Sequence, residues 1–173
     1  MRNVIRRTIG SVFRPRLEVY FDAASTYQTR EVADAGASGY FCHVMVRNAG
    51  PTPARNCRGR VLEVGVRQGD GSTSPAPEFL APLFLKWARE PDFEARDLEA
   101  GQPRPLDLCF ALASAPEQLR FFAPPSPSGV IILPPGVYRV KLQVTADDMR
   151  EAHGVFGVDF TRGWDRIVID EGA

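Results

Sequence analysis

Apolar and polar residues alternate in several short runs along the chain, and the most regular run covers residues 138–146. Its two faces carry, respectively, Tyr138, Val140, Leu142, Val144 and Ala146, and Arg139, Lys141, Gln143 and Thr145. A period of two is typical of a β-strand with one buried and one solvated face. Two prolines and Gly136 precede the run and predict a tight turn before this strand.

Shorter runs of the same kind predict the other strands. They lie at residues 16–22, 39–48, 56–66, 83–87, 106–112, 119–122, 153–160 and 164–170. The run at 56–66 slips by one position between Val61 and Leu62, which predicts a β-bulge or a change of buried face around residues 59–62. In the run at 106–112, the large apolar residues are expected on a single face. Segments 23–38, 68–82 and 88–105 are rich in small, polar or charged residues and predict loops.

These patterns predict an all-β fold. Fifteen glycines and 15 prolines argue against long helices, and only residues 2–13 approach a helical period. Seven to nine short strands separated by turns favour an antiparallel, immunoglobulin-like β-sandwich with a short N-terminal helix or arm. A closed barrel is the alternative architecture.

The turn before residue 138 predicts a structural role for Gly136 and Tyr138, and the apolar positions of the strands predict one for Leu142 and Trp87. In sandwiches, a buried tyrosine after such a corner donates its hydroxyl to a backbone group that the turn has left without a partner. We therefore expect Gly136 and Tyr138 to form a tyrosine corner, and Leu142 and Trp87 to lie in the core. An ordinary hairpin turn with an incidental tyrosine is the alternative.

The chain of 173 residues is long enough for one domain, which we place at residues 16–173 after a basic arm at residues 1–15. Formal net charge is zero, but residues 1–60 carry a balance of +6 and the remainder a balance of −6. The zero net charge and the lack of a recognisable motif give no signal for nucleic-acid binding.

The arm alternates arginines with bulky apolar residues. Arg2, Arg6, Arg7 and Arg14 are interleaved with Val4, Ile5, Ile9, Val12 and Phe13. This pattern is typical of a segment that lies on an anionic membrane surface or on an acidic partner, and a frayed terminus is the alternative. No signal peptide or membrane-spanning run is visible, so we expect a cytoplasmic protein, peripheral to a membrane if the arm binds one.

The sequence gives little support for a catalytic site, a metal site or a cofactor. Cys42, Cys57 and Cys109 show no metal-ligand spacing, and free thiols fit a reducing compartment. No nucleophile–histidine–acid signature and no phosphate loop is present, so we expect neither an enzyme, nor a metal site, nor a cofactor. The clearest ligand-binding candidate is a set of four arginines around one strand end, suited to a phosphate or carboxylate: Arg47, Arg55, Arg58 and Arg60. Surface salt bridges are the alternative role for these arginines.

Two sequence blocks carry a family resemblance. The block "HVMVRNAGPTPARNCRGRV" and the later block "LPPGVYRVKLQVTADD" resemble the prokaryotic immunoglobulin-like adhesion and accessory domains of the CARDB-like group. The resemblance covers roughly residues 16–170. It implies a fold rather than a chemistry, with Val44, Val46 and Ala54 in the core and Asn48 and Gly50 in a turn. Leu142 stands where the pattern has valine.

These observations favour a non-catalytic binding or protein-interaction domain, whose partner is another protein. The alternative function is a regulatory sensor that binds a nucleotide-like anion through the arginine cluster. A carbohydrate-binding module is a second alternative, and it would need Trp87, Trp164 and Tyr40 on one exposed platform.

Overall fold

The computed structural model describes residues 14–25, 27–32, 37–80, 82–122, 130–147 and 149–172. These residues form strands and turns without a helix, which confirms the all-β fold. Of the N-terminal helix or arm expected at residues 1–15, residues 1–13 lie outside this range. The strands are β1 Leu17–Tyr20, β2 Tyr27–Val32, β3 Ala37–Asn48, β4 Ala54–Arg67, β5 Thr73–Pro75, β6 Leu83–Phe84, β7 Arg96–Leu98, β8 Pro103–Leu112, β9 Ala115–Phe122, β10 Val130–Leu133, β11 Gly136–Thr145, β12 Ala152–Phe160 and β13 Val168–Glu171.

The strands form two antiparallel sheets. The first sheet has the order β1-β3-β8-β9-β10, and β2 pairs with the same edge of β3 as β1 does. The second has the order β13-β12-β11-β4-β5, and β6 and β7 also pair with β4. Side chains of both sheets, such as Val44 and Leu106 from one and Val61 and Leu142 from the other, share one hydrophobic core. The sheets therefore pack on each other and do not close into a barrel.

Strand β11 follows the predicted alternation. Tyr138, Val140, Leu142 and Val144 are buried in the core. The Tyr138 hydroxyl donates a hydrogen bond to the carbonyl oxygen of Pro134, as the sequence predicts for a tyrosine corner. On the opposite strand, residue Val61 pairs with Leu142 and Glu63 pairs with Lys141. Leu62 is therefore an extra residue, and it forms the bulge predicted around residues 59–62.

Both faces of β3 are buried between Phe41 and Val46, although alternation suggests only one apolar face. Cys42, Val44 and Val46 contribute to the core between the sheets. On the opposite face, Phe41 stacks on Phe110 with ring centroids 5.1 Å apart. Because other side chains cover the outer face of this central strand, that face does not need polar residues. This explains why apolar residues occur on both faces of β3.

Strand β8 changes its buried face, so the expectation of one apolar face at residues 106–112 is wrong. Cys42 pairs with Cys109, whereas the next residue of β3 pairs with Asp107, so that Leu108 is a second bulge residue. Beyond this bulge Cys109 enters the core between the sheets, and Phe110 and Leu112 enter the separate cluster on the outer face. A single extra residue reverses the faces of all later positions.

The structure contains 13 strands in its described part, more than the seven to nine expected. Three of the additional strands, β2, β5 and β7, fall in segments predicted as loops. All three residues of β5 are exposed, because this strand pairs with β4 through its backbone and contributes no core side chain. A strand that is held only by backbone pairing shows no alternation of apolar and polar residues, so it cannot be predicted from the sequence pattern.

The segment from Leu83 to Ala88 connects the two sheets. Its first part pairs with β4, where the Leu85 amide donates to the Gly59 carbonyl at 2.9 Å. Its second part lies along β8, where Trp87 forms a bridge with Leu106. Leu85 and Trp87 are buried in the common core, as the sequence predicts. This short segment therefore pairs with one strand of each sheet, β4 and β8, and connects them.

Candidate functional site

The bulge at Leu108 places a histidine and an aspartate together on the outer face of the first sheet. His43 on β3 lies opposite Asp107 on β8. Both residues are buried, with 3% of His43 and 1% of Asp107 exposed to solvent. Without the extra residue, the faces of β8 would be exchanged and Asp107 would not face His43. This pair is the most unusual polar feature of the described structure, because buried charges are rare and costly.

The contact between the two side chains is close. Nδ1 of His43 lies 2.8 Å from Oδ1 of Asp107, although the N–H direction is too bent for a strong hydrogen bond. A carboxylate beside Nδ1 favours the tautomer that carries its proton on Nδ1. Within the described structure, Nε2 is buried and has no hydrogen-bond partner.

His43 contributes to the wall of a surface cavity with a volume of about 620 Å³. Binding sites for small molecules typically have volumes of about 300–1,000 Å³. The cavity is formed by the turn after β1, the outer face of β3 and the turn that follows Trp87. Its lining residues are Ala24, Ser25, Tyr27, His43, Met45, Ala88, Arg89, Glu90, Arg104 and Pro105.

Three charged residues belong to this cavity wall. Glu90 pairs with Arg104 and also accepts a hydrogen bond from Arg96 at 3.2 Å. Arg89 is exposed, and it forms no ion pair with any residue in the described part of the chain. Arg89 also has a φ of 68°, in the left-handed region that residues other than glycine rarely adopt. The cavity thus has an exposed cationic residue, Arg89, and a buried histidine, His43, among its lining residues.

The four arginines predicted as a ligand clamp occupy two different sheets. Arg47 lies on β3 and pairs with Glu18 at 2.6 Å, and this hydrogen bond raises the pKa of the guanidinium. Arg55 lies on β4 and pairs with Asp97 at 2.6 Å. Arg58, also on β4, lies 3.6 Å from Glu94. Arg60 donates to the side-chain carbonyl of Gln143 at 2.5 Å.

Each of these four side chains therefore has a partner within the protein. Arg47, Arg55 and Arg58 form ion pairs, and Arg60 forms a hydrogen bond. Of the arginines predicted to contact a partner or a membrane, Arg14 lines a small cavity with Arg55 and Asp147. Arg2, Arg6 and Arg7 lie outside the described residues. None of the described residues forms a helix long and apolar enough to cross a membrane.

The three cysteines are buried and form no disulfide. Burial raises the pKa of Cys57 to about 11 and that of Cys42 well above its ordinary value. A thiol that stays protonated is a weak nucleophile. No cluster of three metal-ligating side chains occurs among the described residues.

The pair of His43 and Asp107 was not predicted from the sequence. The two residues are 64 positions apart, and each stands in a run that reads as an ordinary strand. The available signals are a histidine and an aspartate inside otherwise apolar strands. No family model, curated protein or solved structure matches this chain.

Proposed function

We propose that this chain is a non-catalytic binding domain of immunoglobulin-like β-sandwich topology, and that its ligand site is the cavity beside His43. The two antiparallel sheets and the hydrogen bond from Tyr138 to Pro134 support the topology. The observation that carries the function is a cavity of about 620 Å³ whose wall includes His43, a buried histidine with an unpartnered Nε2.

The physical reason is the cost of a buried polar atom without a partner. Such an atom destabilises a fold by about 1–3 kcal/mol, and most proteins avoid it. Because Nε2 has almost no exposed surface, a ligand group can hydrogen-bond to it, and so remove this cost, only when the side chains that cover Nε2 move aside. The cavity has enough volume for a small molecule to place such a group beside the imidazole.

The chain contains two histidines, and the second one is a natural control. His153 lies on β12, in the other sheet, and is half-exposed near Glu151. Side-chain NMR spectra of the two imidazoles, assigned with His43→Gln and His153→Gln, therefore report separately on the cavity and on a remote surface.

We expect that a screen of small polar molecules finds compounds that shift the His43 signals, leave the His153 signals in place and raise the melting temperature. His43→Gln should abolish this stabilisation, and His153→Gln should retain it. Compounds that stabilise the His43→Gln variant as much as the parent would show that the ligand site lies elsewhere.

A further inference from the structure

Strand β10 forms one edge of the first sheet. It pairs with β9, and its other edge has no backbone hydrogen bond to any of the described residues. Its four residues, Val130, Ile131, Ile132 and Leu133, are all apolar. An open edge presents backbone N–H and C=O groups with which another strand can pair. This edge is therefore able to accept a further strand.

The other edge strands of the two sheets carry features that prevent such pairing. Charged residues, prolines and very short strands are the devices that proteins use at exposed edges. Strand β6 has only two residues, and the amide of Ile169 on β13 already donates to the Tyr27 hydroxyl at 2.7 Å. The remaining protective residues are Glu18 on β1, Arg30 on β2, Pro75 on β5, Arg96 on β7 and Asp170 on β13. Among the described edge strands, β10 is the one with four apolar residues and neither a charge nor a proline.

One side chain of β10 is exposed beside the open edge. Leu133 is fully buried in the core, and Ile131 packs against the same core. Ile132 lies on the opposite, outer face of the sheet and is 43% exposed. Residues that lie opposite each other in an antiparallel pair share a face, so an added strand would place a side chain against Ile132. Pairing at this edge would thus remove exposed apolar surface together with unpaired backbone groups.

The distribution of charge favours a second copy of this chain as the added strand. Formal net charge is zero, so two copies do not repel each other at long range. The charged residue of β9 nearest to the edge is Arg120, which pairs with Ile132. Two copies of Arg120 would be three strand spacings apart, about 14 Å, which exceeds the screening length of about 8 Å at physiological salt. The uncharged edge therefore meets its own copy without repulsion.

We infer that β10 strands of two chains pair antiparallel about a twofold axis, so that the first sheets of both copies form one continuous sheet. Val130 and Ile132 of each copy then lie on the outer face and contact each other across the axis. Twofold pairing uses the same edge of both copies, so the assembly closes at a dimer.

The dimer should be weak and reversible. Pro134 and Pro135 follow β10, so the pairing spans only four residues. Small interfaces are typical of transient association. Strand β9 separates β10 from β8, so the cavity beside His43 stays open in the dimer. The dimer therefore does not depend on the proposed ligand site.

Sedimentation velocity of the full-length protein measures the association. We expect a monomer–dimer equilibrium with a dissociation constant in the micromolar range. Ile132→Lys introduces a charge at the centre of the pair and should weaken the dimer by about tenfold or more. Val168→Lys is the matched control, because Val168 is 41% exposed on β13, the edge strand of the other sheet. It should dimerise like the parent, and both variants should retain the parent's circular dichroism spectrum.

Hydrogen exchange locates the interface without a substitution. The β10 amides that point away from β9 should exchange slowly above the dissociation constant and rapidly after dilution to the monomer. In Ile132→Lys, they should exchange rapidly at both concentrations. The amides of β11, which has a paired strand on each side, should be protected throughout and serve as the reference.

Three results would overturn this inference. The first is a parent protein that stays monomeric at millimolar concentration. The second is a dimer that Ile132→Lys leaves unchanged or that Val168→Lys weakens equally, since the interface would then lie elsewhere. The third is a monomeric parent whose β10 amides become protected when a capped peptide of alternating threonine and valine is added. That result would identify an extended segment of another protein as the occupant of the edge.

Discussion

At the scale of single residues, Tyr138 combines a buried ring with one hydrogen bond to the corner at Pro134. Tyr138→Phe removes the donor and leaves the ring, so that the Pro134 carbonyl loses this hydrogen bond. We expect the free energy of unfolding to fall by about 1–3 kcal/mol. Urea denaturation at neutral pH measures the change, and Tyr20→Phe, at a half-buried tyrosine, is the control. Equal stability of the parent and Tyr138→Phe would contradict this role for the corner.

The same hydroxyl makes this contribution dependent on pH. Burial raises the pKa of Tyr138 to about 12, and the carboxylate of Glu78 adds to the effect. An unfolded tyrosine has a pKa of about 10, so the folded state holds this proton more tightly. The resulting stability is complete below about pH 10 and is lost as the pH rises towards 12. The difference between the parent and Tyr138→Phe should therefore narrow over this range, and a constant difference would contradict the prediction.

At the scale of elements, buried Asn48 connects three parts of the backbone. Its Oδ1 accepts hydrogen bonds from the amides of Arg16 and Gly50, at 3.1 and 3.0 Å. Its Nδ2 donates to the carbonyls of Thr52 and Leu98, at 2.7 and 3.1 Å. The residue at the end of β3 thereby fixes the approach to β1, the following turn and β7.

This close packing predicts a marked effect of a single methyl group at Gly50. A Cβ atom there would lie 2.4 Å from the backbone carbonyl oxygen of Arg14, too close for any real contact. We expect Gly50→Ala to lower the free energy of unfolding by about 1–3 kcal/mol. Gly69→Ala is the matched control, because no atom lies within 4 Å of its Cβ position. Urea denaturation compares the two, and equal midpoints would show that the backbone at Arg14 moves aside.

The elements differ in how well the sequence predicts them. Strand β11 and the bulge at Leu62 follow from alternation, because one of their faces is buried and the other is not. Strand β5 cannot be predicted from alternation, because its side chains are all exposed. The cavity at His43 depends on the bulge at Leu108, and nothing in the local sequence distinguishes a bulged strand with two buried faces from a regular one. The predicted arginine cluster instead forms contacts within the protein.

At the scale of the whole molecule, Trp87 lies where the segment from Leu83 to Ala88 joins the two sheets. It is 1% exposed, and the chain has one other tryptophan. In a Trp164→Phe variant, the fluorescence of Trp87 should be blue-shifted in the folded state and should report on this junction alone. We expect its unfolding transition to coincide with that of far-ultraviolet circular dichroism, because both sheets share the junction and the core. Two separated transitions would show that the sheets unfold independently.

The pairing of β4 with β11 at the centre of the second sheet also determines the order in which the strands of this chain form. Strand β11 pairs with β4 across a long separation, which reaches 87 positions between Thr145 and Arg58. Contacts between such distant segments form slowly, because the loop must close before any contact compensates its entropy. During synthesis, β5, β6 and β7 follow β4 along the chain and are available to cover one of its edges. The other edge of β4 stays open until the ribosome has released β11, and in that interval the nascent chain is most exposed to aggregation.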